Sequence, residues 1–130
     1  MEPHLHLPIE GPVDQIGNPK FFWKDGWLGQ NFKAKLDPFE KISAITIFGH
    51  MGKTSPKNIT LTAEIDNQPK GEFKASEASF EWHLHLSTAL TKPFELGIRG
   101  NQWLNAQQEG LSEDKRNLLF ILKEMVFNDR

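Results

Sequence analysis

Apolar side chains recur at every second position in several short runs of this chain, which is the period of a strand with one face on a core and the other in water. The clearest run sets Ile59, Leu61, Ala63 and Ile65 against Thr60, Thr62 and Glu64. Asp66-Asn67 then supplies a turn and residues 71–75 a partner, so the pattern predicts a β-hairpin over 59–75. Ser79 to Leu86 alternates again, with Phe80, Trp82, Leu84 and Leu86 inward and Glu81, His83 and His85 outward. Residues 93–99 repeat the scheme with Phe94, Leu96 and Ile98. A slip of one residue in either run would bury charge, so both registers are well specified. Lys41 to Gly49 is apolar on both alternating sets, as a central strand covered on both faces requires.

The remaining segments are read from their punctuation. Lys20 to Trp23 runs into the turn signal Lys24-Asp25-Gly26, after which Trp27-Leu28-Gly29 leads into a strand over 31–36 closed by Asp37-Pro38. Pro3, Pro8, Pro12 and Pro19 break up residues 1–19, which are expected as an extended segment draped over a sheet, with His4 to Leu7 offering an edge strand. Residues 49–56 read as a polar loop. Residues 101–114 form a long polar loop containing Trp103, and loops of that length inside compact domains usually carry function. The final run from Asn117, NLLFILKEMVF, fits either a helix capped by Ser112 or a strand buried on two faces. The strand is preferred, because a sandwich needs a closing strand and Phe and Val suit a pleated surface. The whole predicts an all-β fold, an antiparallel two-sheet β-sandwich of jelly-roll type over residues 20–130.

Composition narrows the function classes. A net charge of −2, with both signs spread along the chain, leaves no basic stripe to track a phosphate backbone, so nucleic acid is not an expected partner. With Cys 0 there is neither a disulfide framework nor thiol chemistry, which fits a cytosolic setting. The opening MEPHLHLPIEGP reads neither as a secretory signal nor as a membrane anchor, and no membrane insertion is expected.

Enzymatic chemistry finds little purchase. His83-Leu84-His85 and His4-Leu5-His6 each place two imidazoles on one strand face, and four nitrogens would meet if those strands were neighbours. No carboxylate follows in 86–90 as a cupin-type site requires, so exposed polar rows are the simpler reading and no metal is expected. No serine sits in a Gly-x-Ser-x-Gly elbow. Glu113 and Asp114 are adjacent, and adjacent side chains in an extended chain point apart. Gly52-Lys53-Thr54 ends like a phosphate-binding loop but lacks the first glycine and a following helical pattern. A non-enzyme without cofactor is the expectation.

Sugar recognition asks for less: a flat aromatic face for the apolar side of a pyranose, and polar groups that bridge hydroxyls. Trp23, Trp27 and Trp103 stand beside turn residues, whereas Trp82 sits at a core position. Asp25, Trp27, His50, Asn101, Trp103, Gln107, Asp114 and Arg116 all fall in loops or at strand ends that one end of a sandwich would gather. Each has a structural alternative. Asp25 would form its turn, Asp114 and Arg116 would pair, and Trp27 would plug the sandwich end.

The order Asp25-Gly26-Trp27-Leu28-Gly29, an Ile-rich strand ending near Gly49, the hairpin ITLTAEIDNQPKGEF and then Gly110 to Arg116 before the last apolar strand resembles a known family. It is similar, over roughly residues 20–127, to the β-sandwich accessory domains of bacterial glycosyltransferases that build surface polysaccharides. In that pattern Leu-Gly follows the arginine, where this chain has Leu118-Leu119. The resemblance implies a carbohydrate-binding module with Trp27, Asp114 and Arg116 at family-type positions, working in the cytosol beside a sugar-transferring catalytic domain. The alternative expectation is a scaffolding domain that docks onto a partner enzyme through an exposed sheet face.

Overall fold

The computed structural model describes residues 5–51, 58–105 and 117–129, and every regular element among them is a strand. In chain order these are β1 (Ile9–Glu10), β2 (Val13–Phe22), β3 (Trp27–Pro38), β4 (Ile42–His50) and β5 (Ile59–Ile65). There follow β6 (Gln68–Ala75), β7 (Ser79–Leu90), β8 (Phe94–Gly100), β9 (Leu104–Asn105) and β10 (Asn117–Asn128). Alternation assigned the faces correctly: β5 buries Ile59, Leu61, Ala63 and Ile65, and β7 buries Phe80, Trp82 and Leu84 while His83 and His85 face solvent. The β5–β6 hairpin turns at Asp66 and Asn67, both with positive φ, as a two-residue primed turn demands. The ambiguous last run is the strand β10. It pairs along both edges, which is why its apolar residues run nearly without interruption.

The antiparallel ladder is continuous in the order β6-β5-β8-β3-β10-β4-β7, with β2 added to β3 and with β9 and the parallel β1 added to β10. The expected division into two jelly-roll sheets is not what this ladder shows. A single sheet curls round until its two ends, β6 and β7, face each other, close to a barrel. The cause lies in β3. Leu28 pairs with both Phe22 and Phe120, and Lys33 with both Lys20 and Gly97. A strand has only two edges, so β2 occupies one of them and β10 and β8 share the other, β10 at 27–29 and β8 at 32–36. Two sets of strands that could have been separate sheets are thereby joined at one corner.

Between those two pairings the ladder on β3 would lapse, because Asn31 adopts φ 66 and breaks the pleat. The Gln30 side-chain amide bridges the gap. Its Nε2 donates to the Gly100 carbonyl and its Oε1 accepts from the Gly100 N–H, both at 2.9 Å. It reproduces with a side chain the reciprocal pair that a backbone residue would have made.

The free ends of the sheet meet through side chains, with no ladder pairing β6 to β7 among the described residues. Phe73 of β6 stacks on Trp82 of β7 with centroids 5.9 Å apart and lies 5.3 Å from Phe80, which meets Phe120 of β10 edge-on at 5.1 Å. Each such pair adds about 0.5–1.5 kcal/mol beyond the area it buries. Gly49 makes room for this chain of rings, since a Cβ there would lie 2.3 Å from the Phe80 ring.

Within residues 1–19, expected as an extended segment, Ile9–Glu10 and Val13–Phe22 are strands of the sheet, and β2 runs on past residue 19. Residues 5–8 form no edge strand. Pro19 is tolerated because β2 pairs, among the described residues, only with β3, and its register shifts between Ile16 and Lys20, where Gly17-Asn18-Pro19 bulge out. Among the described residues no helix is long and apolar enough to cross a membrane.

Trp82 is 2 % exposed and touches both ends of the curled sheet. Trp82→Ala should lower the unfolding free energy by about 3–5 kcal/mol, read as a reduced denaturant midpoint with an unchanged slope. A loss below about 1 kcal/mol would show that the closure does not depend on this ring.

Candidate functional site

Leu28 and Phe120 are fully buried, so their neighbours Trp27 and Ile121 face outward. Register then builds a row across four strands: Trp27 of β3 pairs with Ile121 of β10, Ile121 with His50 of β4, and His50 with Ser79 of β7. Directly paired residues share a face with Cβ atoms about 4.5–5.5 Å apart, so an indole, an aliphatic chain, an imidazole and a hydroxyl form one strip. His50 Nδ1 lies 3.3 Å from Ser79 Oγ. Trp23 widens the apolar end of the strip. Its ring covers Gly29, where a Cβ would stand 2.7 Å from it, so only glycine lets the indole lie over the start of β3.

At its Ser79 end the strip runs into an open cleft of about 330 Å³ lined by Phe73, Lys74, Ser76, Glu77, Ser79, Phe80 and Glu81, where the two ends of the sheet meet. These residues escaped the sequence reading. Their polar character was visible, but only closure of the sheet brings β6 and β7 together.

The predicted site residues fare unevenly. Trp27 and His50 are brought together, flanking Ile121. Trp103 is 46 % exposed. It precedes β9, which pairs with Asn117 and Leu118 of β10. Leu118 also pairs with β3, so β9 must lie on the opposite edge, continuing beyond His50. Trp27 and Trp103 therefore stand at opposite edges of β10. Asp25 sits exposed in the turn before β3 with its Oδ1 accepting the Trp27 N–H at 3.3 Å, which makes it a turn former. Asn101 is largely structural. Its Oδ1 accepts from the Thr60 N–H at 2.9 Å and its own N–H donates to the Thr60 carbonyl at 3.0 Å, extending the β5–β8 pairing. Gln107, Asp114 and Arg116 lie outside the described residues.

The histidine rows do not converge. His4 lies outside the described residues, and His6 precedes β1 beside β10, whereas β4 separates β10 from His83 and His85 on β7. His83 instead lies 3.3 Å from Glu81 and 3.2 Å from Thr46 Oγ1. Among the described residues no group of three His, Asp or Glu side chains is gathered as for a metal ion.

A further backbone outlier lies two residues before Trp23. Phe21 adopts φ 59 at a register shift of β2 and is 51 % exposed. A left-handed conformation costs a β-substituted residue about 1–2 kcal/mol, and an exposed ring returns little of it through burial. Such strain is characteristic of ligand-contacting positions. The chain matches no protein-family model, and no curated protein is similar to it in sequence.

Phe21→Gly should raise stability by up to about 1 kcal/mol, measured as a higher melting temperature. A destabilised variant would mean that the ring's packing outweighs its backbone strain.

Proposed function

We propose that this protein is a non-catalytic carbohydrate-binding module that holds a bacterial polysaccharide in the cytosol beside a glycosyltransferase catalytic domain. The observation that carries the reading is the strip Trp27–Ile121–His50–Ser79, an apolar platform grading into hydrogen-bonding groups and ending in a polar cleft. A pyranose ring has the same division, with C–H groups on one face and hydroxyls around its edge. The indoles of Trp27 and Trp23 supply the apolar surface, and His50, Ser79 and Glu81 on strands, with Glu77 in the β6–β7 connection, supply donors and acceptors. Trp103, on the other edge of β10, offers a second ring for a chain longer than one sugar. The resemblance of the Asp25-Gly26-Trp27 start and of the residues up to Arg116 to glycosyltransferase accessory domains points the same way.

The Trp27→Ala/Trp103→Ala double variant should lose at least about tenfold in retention on a polysaccharide affinity gel, the equivalent of about 1.4 kcal/mol, while its circular dichroism and melting temperature stay near wild type. Undiminished retention in a folded double variant would reject this site. A glycan array blank for the wild-type protein, together with a stable complex with a glycosyltransferase, would favour the scaffolding alternative.

A further inference from the structure

From the tryptophans, the outward positions of β3 lead to a second concavity. Lys33 and Lys35 alternate with the buried Phe32, Ala34 and Leu36, so they share the outer face with Trp27. Register sets Lys20 of β2 directly opposite Lys33, and Ile16 opposite Lys35. Where β2 bulges away at Gly17-Asn18-Pro19, it opens a groove of about 300 Å³ lined by Ile16, Gly17, Asn18, Lys20, Lys33, Lys35 and Glu95. Like charges placed directly opposite on a sheet are destabilising, yet this groove holds three ammonium groups against one carboxylate. Lys33 is partly compensated, 2.8 Å from Asn67 Oδ1 and 3.8 Å from Glu95. Among the described residues Lys20 makes no ion pair, and Lys35, although Glu95 stands opposite it in the β3–β8 register, comes within ion-pair distance of no carboxylate. Ile16, 43 % exposed, forms an apolar wall of the groove.

We propose that this groove is a cationic subsite for the carboxylates of an acidic, uronate-containing polysaccharide that lies along the outer face of β3. The inference rests on the carbohydrate-binding reading and names its substrate class. Trp27 and Lys33 lie six residues apart on β3, with the break at Asn31 between them, so the indole and the groove are two separate points on one face, as successive sugars of a polymer would meet them. Exposed Phe21 lies between Lys20 and the tryptophans Trp23 and Trp27 in sequence. Beyond Ile16 and Lys35 the next outward residues along β3 and β2 are Asp37 and Asp14, a register pair whose charges stop an anionic chain there. The polymer therefore has one end of its track defined by repulsion and the other by the tryptophans.

The test compares polygalacturonate with a neutral glucan of similar length, by calorimetry, on wild type, the Lys20→Gln/Lys35→Gln variant and the Trp27→Ala/Trp103→Ala variant. Wild type should bind the polyuronate at least about tenfold more tightly than the neutral polymer at low salt, and the preference should fade as added salt screens the lysines. The lysine variant should lose the preference while keeping its melting temperature and its affinity for the glucan. Equal binding of both polymers, unchanged in the lysine variant, overturns the acidic subsite and leaves the carbohydrate-binding reading standing. Polyuronate binding that survives in the tryptophan variant but not in the lysine variant supports the groove and overturns the aromatic site. Binding of neither polymer to wild type overturns the inference, and galacturonate monomer bound as tightly as the polymer overturns the extended track.

Discussion

The shared edge of β3 is the constraint on which the rest of the molecule depends. Because β10 and β8 divide that edge between them, the chain cannot form two independent sheets and must curl. The division is possible only where the strand can break its own pleat, and Asn31 does so with a conformation that asparagine tolerates better than most residues. Gln30 then keeps the Gly100 N–H and C=O satisfied at the point where β8 no longer has a backbone partner on β3. Without that amide the β8 end would leave two polar groups unpaired in a part-buried site.

Curling has two consequences for binding. It brings Trp27 alongside Ile121 and so into line with His50, residues far apart in the chain. It also carries β6 round to β7, where Phe73, Phe80 and Trp82 lock the ends with rings and leave the polar cleft beside Ser79. Thus the apolar core and the proposed sugar platform are two faces of one closure. Core positions of β7 and β10 hold the sheet shut, and the alternate positions on the same strands present the strip. Edge strand β2 adds the third element, since only a strand free on one side can bulge enough to open the lysine groove.

Much of the strand content was legible in the sequence because alternation is a local property. Ile59 to Ile65 and Phe80 to Leu84 show their faces without reference to any partner, and Asp66-Asn67 announces its own turn. Residues 13–19 were misread because proline and glycine signal a loop unless an edge strand is there to accommodate them. Of the site, Trp27, His50 and Trp103 were identifiable as aromatic or polar residues near turns. Asn101 and Asp25 look the same in sequence, yet their side-chain oxygens are occupied by backbone N–H groups of Thr60 and Trp27.

What the residues determined unaided is the all-β character, the inward set on most strands and the absence of thiol chemistry, each a matter of side-chain type and spacing along the chain. Tertiary structure alone decided that the sheet is continuous, that Trp27 and His50 flank Ile121, and that Lys20 faces Lys33. Those facts depend on which edge pairs with which, and edge pairing is set by backbone hydrogen bonds between distant segments, which carry no imprint in local periodicity.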